Sequence, residues 1–267
     1  MIDTDGFTAL DFELLDDDTI LRVTIDHPTS DLNAVDEALH HDFARLFRLL
    51  RDDTALRAVI LTGRGRAFCA GGDFGWFEEL RSTEALAALR RDARSMIWDL
   101  LDVEVPIVAA INGHAMGLGA SIALLCDVVL ASEGALIGDP HVTVGLVAGD
   151  GGAVIWPLAV GPALAKEYLL TGDPLPADEA HRIGLINHVL PASDLPERAL
   201  AIARRIAANP PLAVRWTKAA VNKTVRAQME VAFDYSTALE LATFASADHA
   251  EAVRARIEHR TPTFEGR

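Results

Sequence analysis

The sequence predicts an α/β protein whose C-terminal part is helical, and three observations carry that reading. Short apolar, β-branched runs alternate with stretches of helical periodicity from residue 9 to residue 139. A unit of strands, helix and strand recurs within that span, as a repetition of elements without a literal sequence repeat. Past Gly161 the strand signal fades and one helical pattern follows another. The division this suggests is a core over residues 1–195 and a helical region over residues 196–267.

The elements follow in order. ALDFEL (9–14) and TILRVTID (19–26) read as strands separated by the acidic turn LDDDT. After the loop HPTSDLN, residues 34–51 place Val35, Leu39, Phe43, Leu46, Phe47 and Leu50 at helical spacing. RAVILTG (57–63) is a short buried strand ending at a glycine, and a helical pattern resumes near Phe74. IVAAING (107–113) is a second buried strand, followed by a helix from about Leu118 through Ser121 and Leu125, then by DVVLAS (127–132) and ALIGD (135–139). LAKEYLLTG, ADEAHRIGL and the long stretch from Asp194 to Glu258 are successive helices, broken at Asn209-Pro210-Pro211. Their apolar faces need cover from the core or from a neighbouring subunit.

Composition narrows the class. Of 267 residues, 50% are hydrophobic and 24% charged, which excludes a disordered, collagen-like or disulfide-stapled chain. Asp plus Glu number 39 against 24 Lys plus Arg, and the formal charge of −15 repels nucleic acid and anionic membranes. Cys69 and Cys126 stand far apart with no CxxC or Cys/His spacing, and His40, His41 and His114 show no metal-ligand pattern such as HExxH. The expectation is a reducing compartment, no metal, and histidines at the surface or in packing. The acidic N-terminus MIDTDGFTALDFEL has no basic region leading into an apolar one, so no signal peptide is read and a cytoplasmic location is expected. Ile107 to Cys126 contains no Asp, Glu, Lys or Arg, but Asn112, Gly113, His114, Gly117 and Gly119 interrupt it. It reads as a strand-turn-helix passage through a protein core, not a bilayer span.

Two glycine-rich loops hold the first chemical signal. TGRGRAFCAGGDFGWF (62–77) and PIVAAINGHAMGLGASIALLCDVVLA (106–131) each run from a strand through glycines into a helix. Neither GxGxxG nor GxxxxGK[ST] occurs, so a nucleotide cofactor is unsupported. Glycines at such turns let the backbone approach a ligand, and the first turn of a helix leaves N–H groups free. Taken singly, each is a tight turn. Two in one domain can aim one amide each at a shared carbonyl oxygen, as an oxyanion hole does.

AFCAGGD, PIVAAINGHAMGLGASIALLCD, IGDPHVTVGLVAGDGG and LLTGDPLPADEAHRIGLINHV, collinear from about Thr19 to Val189, resemble the crotonase superfamily, that is, the enoyl-CoA hydratase/isomerase family. The resemblance implies a crotonase-like spiral of ββα units with a C-terminal helical trimerisation region, in a homotrimer or homohexamer. It implies an acyl-CoA thioester in an oxyanion hole, with coenzyme A part of the substrate and no separate cofactor. The two amides fall on Gly72 and Leu118, where only a backbone N–H is required. Ala70, Gly72, Asp73 and Phe74 of the first loop are read as contacts for the CoA-bearing end. Arg64 and Arg66, flanking that loop, are candidate phosphate ligands, since guanidinium suits phosphate.

The sequence departs from the family at the proton-transfer groups. Hydratases of the family resemble one another in a glutamate in GGGxE, where GLGAS here places Ser121, and a second in GxPE, where GDPH places His141. Ser121, His141, Asp150 and Asp139 remain nearby. His141 titrates near neutral pH and can serve as a base. Asp150, in VAGDGG, stands about a residue from where related isomerases and dehalogenases carry a catalytic Asp. Its plain alternative is a helix cap, and that of Ser121 is a small residue making room. A Ser-His-Asp nucleophilic triad requires Ser within reach of His. The functional alternatives are a hydratase or isomerase with an altered acid–base set, a thioester or C–C hydrolase or decarboxylase, and an inactive acyl-CoA binding protein.

Overall fold

The LDDDT turn folds β1 (Leu10–Leu15) and β2 (Ile20–Ile25) into an antiparallel hairpin, with Asp16, Asp17 and Asp18 at φ 51°, 53° and 62°. Aspartate tolerates that left-handed backbone better than most residues. The structure is a computed structural model and describes residues 3–80 and 82–267; Met1 and Ile2 of the acidic N-terminus lie outside the described residues, as does Arg81. Helix α1 (Glu37–Asp52) starts at Asp36, whose side chain accepts the Leu39 N–H, and buries Leu39, Phe43, Leu46, Phe47 and Leu50. Then come β3 (Ala58–Gly63), β4 (Ala67–Cys69), α2 (Phe74–Glu79) and α3 (Thr83–Asp102).

The middle of the chain supplies β5 (Ile107–Ile111), β6 (His114–Met116), α4 (Leu118–Leu125), β7 (Val128–Ser132), β8 (Leu136–Gly138), a 3-10 turn at His141–Val144 and α5 (Gly152–Thr171). After β9 (Leu175–Pro176), α6 (Ala177–Arg182) and β10 (His188–Leu190), helices α7 (Leu195–Ala207), α8 (Pro211–Phe244) and α9 (Ala247–Ile257) end the chain.

The strands form a six-stranded sheet, order β1-β2-β3-β5-β7-β10, and a four-stranded sheet, order β4-β6-β8-β9. Within them β2, β3, β5, β7 and β10 run parallel, as do β4, β6 and β8. Each pass of the chain therefore lays one strand in each sheet and returns through a helix, the predicted spiral of ββα units. The charge-free run from Ile107 to Cys126 is β5, β6 and α4, and it is almost wholly buried. Helix α5 is long and apolar enough to cross a membrane, but Gly161 (φ 80°, ψ 158°) breaks it into two halves, each shorter than the roughly 20 residues a span needs.

Helix α7 covers one face of the large sheet, setting Leu195, Ala199 and Ala203 on Ile20, Ile60, Val108 and Leu130. Helix α8 packs Met229 and Phe233 against Ile97 and Leu101 of α3 and Val154 of α5. The C-terminal helices thus cover the core of their own chain. Asn33, buried at φ 50°, ties the hairpin to the first glycine loop: its Oδ1 accepts the His27 N–H (3.0 Å) and its Nδ2 faces the carbonyls of Arg64 (3.0 Å), Ala67 (3.0 Å) and Phe68 (3.2 Å).

Removing that amide strands several buried backbone groups. Asn33→Ala should lower unfolding free energy by about 1–3 kcal/mol in urea denaturation. Asn33→Gly, which keeps the left-handed backbone, should lose nearly as much; a near-native Gly variant would shift the cause from hydrogen bonding to backbone strain.

Candidate functional site

The two glycine loops meet. Val35 donates its N–H to the Gly71 carbonyl (2.8 Å) and accepts from Asp73 N–H (2.9 Å), so Gly72 runs clamped alongside Val35. The Phe77 ring occupies the space a Cβ on Gly72 would take. In the second loop Gly117 (φ 51°) donates to the Gly138 carbonyl (3.0 Å) and opens α4 at Leu118. A Cβ on Gly119 would come within 2.7 Å of the Cys69 Cβ, so only glycine allows α4 to sit this close to β4. Among the described residues, neither the Gly72 nor the Leu118 N–H has a hydrogen-bond partner. Both residues line one cavity. Its walls are apolar (Val35, Trp76, Phe77, Leu80, Leu89, Leu146, Leu241, Phe244), and its polar groups are His40, Arg90, His141, Asp150, Thr237 and Glu240.

His141 is the centre of the polar end. Its Nδ1 bonds Asp139 Oδ1, while Nε2 stands 3.4 Å from Asp150 Oδ2 and 3.8 Å from Glu240 Oε1. Ser121 Oγ donates to Asp150 Oδ1 (2.8 Å). Glycines make room for the carboxylates: a Cβ on Gly149 would lie 2.5 Å from the Glu240 Cβ, and one on Gly152 would collide with the Asp139 carboxylate. Burial pulls the His141 imidazole down, but the joint field of Asp139, Asp150 and Glu240 outweighs it and holds the imidazole well above its usual range. Burial pushes Asp150 up, against the opposing pull of His141. Burial also pushes Glu240 up to about 8, with Asp150 and Asp139 adding to the rise and His141 resisting it. The cluster therefore favours a protonated imidazole at His141, and Asp150 and Glu240 hold a proton more readily than ordinary carboxylates. Asp139, His141 and Asp150 have ligand atoms within 4.8 Å of one another, spacing that could hold a metal ion, but an imidazolium offers no lone pair until it loses its proton.

Of the residues singled out from sequence, Gly72, Leu118, Ser121, His141 and Asp150 converge on this end. Asp150 adjoins the start of α5, whose N-cap is Gly151 without a side-chain cap bond. The triad geometry does not form: Ser121 Oγ bonds the aspartate, and among the described residues no histidine hydrogen-bonds it. Asp73 caps α2 by accepting the Trp76 N–H (3.0 Å), Phe74 stands edge-on to Phe77, and Ala70 donates its N–H to the Leu32 carbonyl. Arg64 pairs with Asp11 (2.8 Å) and Asp26 (2.7 Å) and lines a separate cavity; Arg66 is exposed. His40 is buried against Trp76 and pushed down to about 4 by burial, a neutral packing histidine. Sequence reasoning missed Glu240 and Arg90. For Glu240 there was a signal: Phe233, Thr237, Glu240 and Phe244 follow helical spacing, and a carboxylate on that stripe is out of place.

Comparison with known proteins places these features in context. The family model for enoyl-CoA hydratase/isomerase matches residues 16–267. The 2,3-dehydroadipyl-CoA hydratase of Escherichia coli (strain K12) is 33% identical over 249 residues, covering 93% of this chain and 96% of the relative. The crystal structure of an enoyl-CoA hydratase/isomerase from Mycobacterium paratuberculosis has a TM-score of 0.89 at 39% identity, over 94% of this chain and 99% of that one. A β-diketone hydrolase from the cyanobacterium Anabaena sp. PCC 7120, bound to (S)-3-oxocyclohexyl acetic acid, has a TM-score of 0.84 at 33% identity, over 90% and 95%.

The proton on Glu240 has a measurable consequence. A carboxyl whose folded value is raised from 4.5 to about 8 stabilises the fold below 4.5, and that stability is lost as pH rises toward 8. The raised His141 acts in the same direction, its contribution fading above its ordinary 6.5. Urea denaturation from pH 5 to pH 8 should show falling stability in the wild type and a shallower fall in Glu240→Gln. Parallel curves would place the titration elsewhere.

Proposed function

Because the chain belongs to the enoyl-CoA hydratase/isomerase family, we propose that its variant proton-transfer set serves hydrolysis of a carbon–carbon bond in a β-dicarbonyl substrate. The observation that carries this reading is the buried His141–Asp150 pair, with Glu240 in reach, beside two free backbone amides. Asp150, made more basic by burial, takes a proton from water, whose oxygen attacks one carbonyl carbon. The carbonyl π pair moves to oxygen, where the Gly72 and Leu118 amides stabilise the charge. Collapse reforms the carbonyl as a carboxylic acid and breaks the bond to the α-carbon, which leaves as the enolate of the second carbonyl. The His141 imidazolium protonates that carbon and regains its proton from Asp150. Ser121 orients the Asp150 carboxylate, Asp139 the imidazole, and Glu240 remains a neutral donor. The Anabaena hydrolase favours this reading, since its ligand pairs a ketone with an acid as β-diketone hydrolysis demands.

A second reading is hydration of an enoyl thioester, favoured by the hydratase relatives. The same groups then act on other atoms: the amides hold the thioester oxygen, Asp150 activates water for the β-carbon and His141 protonates the α-carbon. Against it stands the engagement of Arg64 by two aspartates, which removes one expected phosphate ligand. An inactive binder has no use for a buried cluster of charges that is costly to keep. Either enzymatic reading carries the expectation of a cytoplasmic homotrimer or homohexamer.

The assay compares two substrates: the bicyclic β-diketone whose hydrolysis gives 3-oxocyclohexyl acetic acid, followed by acid release, and crotonyl-CoA, followed by enone absorbance with free thiol read separately. Diketone cleavage should appear, and Asp150→Asn and His141→Ala should each lower kcat by about 10²-fold or more. Gly72→Pro, once shown to fold, should cost about 10²- to 10³-fold. Loss of enone without diketone cleavage would establish the hydratase reading instead.

A further inference from the structure

We propose that Arg90 is a specificity residue that receives a carboxylate carried by the substrate away from the reacting carbonyl. This assignment rests on the reading of the cavity as the substrate site. Among the described residues that line the cavity, Arg90 is the one permanent cation; the imidazolium of His141 is already matched by Asp139 and Asp150. In a chain of formal charge −15 an anionic substrate enters such a cavity only where a local cation offsets the repulsion.

The seam between α3 and α8 explains why Arg90 is unpaired. Along it, Arg226 of α8 bonds Asp102 of α3, and two turns of α3 earlier Arg94 bonds Asp234 (2.8 Å). These two pairs fix an antiparallel register, and one turn further that register sets Ala238 opposite Arg90. Alanine stands where the preceding step carries Asp234, and both Ala238 and Arg90 are exposed. No carboxylate among the described residues pairs with Arg90. Its neighbours on the cavity wall, Leu89, Ala93 and Leu241, supply no acceptor. A guanidinium left free beside an apolar cavity presents a planar fork of donors that fits a carboxylate.

The test uses 4,6-dioxoheptanoate, a β-diketone whose carboxylate is two methylenes from the nearer ketone, and its methyl ester, which keeps the shape without the charge. Calorimetric binding to the wild type should favour the acid by about tenfold, a preference that shrinks with added salt. Arg90→Ala should abolish the preference. Ala238→Asp, which supplies the missing partner, should reduce it as well. A wild type with no preference, or a preference that survives Arg90→Ala, overturns the assignment. Charge-dependent binding without hydrolysis sustains Arg90 and overturns the β-dicarbonyl reading; binding of neither probe overturns both.

Discussion

The site depends on one imidazole held among three carboxylates inside a protein core. Asp139 fixes one ring nitrogen of His141, and Asp150 and Glu240 face the other at 3.4 and 3.8 Å. Such a group survives burial only when its protons are shared so that little net charge remains, because isolated charges in a low-dielectric interior are costly. The surrounding chain is shaped to admit it. Gly149 and Gly152 leave the space that Glu240 and Asp139 occupy, and Gly151 adopts a φ of 129° that few other residues tolerate. Ser121, Thr237 and Ser236 tie the same region together through Asp150 and the Gly149 carbonyl.

The two free amides come from the way each ββα unit crosses between sheets. β4 and β6 run parallel in the small sheet, so the loops that follow them lie side by side, and Gly119 lets α4 approach the Cys69 backbone. One amide belongs to a loop and the other to the first turn of a helix, where the dipole adds to its attraction for negative charge. Both are fixed by backbone contacts. The Gly71 and Asp73 bonds to Val35 hold one, and the Gly117 bond to Gly138 holds the other. Donors held in this way need no rearrangement to meet a negative charge.

Much of this was legible in the sequence because the long elements carry strong periodicity. The hairpin, α1, the buried strands and the helical C-terminal region follow the apolar pattern closely, since burial on one face leaves no freedom in where hydrophobic residues fall. Strands such as β4, β6, β9 and β10 have only two or three residues and show no period at all. Helix α3 escaped because its N-terminal half alternates Ala, Leu and Arg with little buried, its fully buried side chains beginning only at Met96. At the site, Ser121, His141 and Asp150 announced themselves as departures from glutamate positions or as a charge among glycines. Glu240 lies 90 positions beyond Asp150 on a helix legible only as amphipathic, so only the packing of α8 against α5 brings it to the imidazole. Arg64 shows the converse: its type suited phosphate, but two nearby aspartates occupy it.

A site that pairs a histidine with an aspartate makes different proton transfers easy from one that pairs two carboxylates. A carboxylic acid and its carboxylate exchange protons at similar driving force, which suits reversible addition of water across a conjugated double bond. Here an imidazole held up by its carboxylate neighbours faces a carboxylate raised by burial, so acid and base are different kinds of group. Attack on a carbonyl needs the base first and the acid afterwards, at two different atoms, and a coupled pair that returns to its starting state meets that order without a third group. The fold sets the free Gly72 and Leu118 amides beside residues 121, 141, 150 and 240, and the chemistry such a site performs is set by its groups and not by the fold.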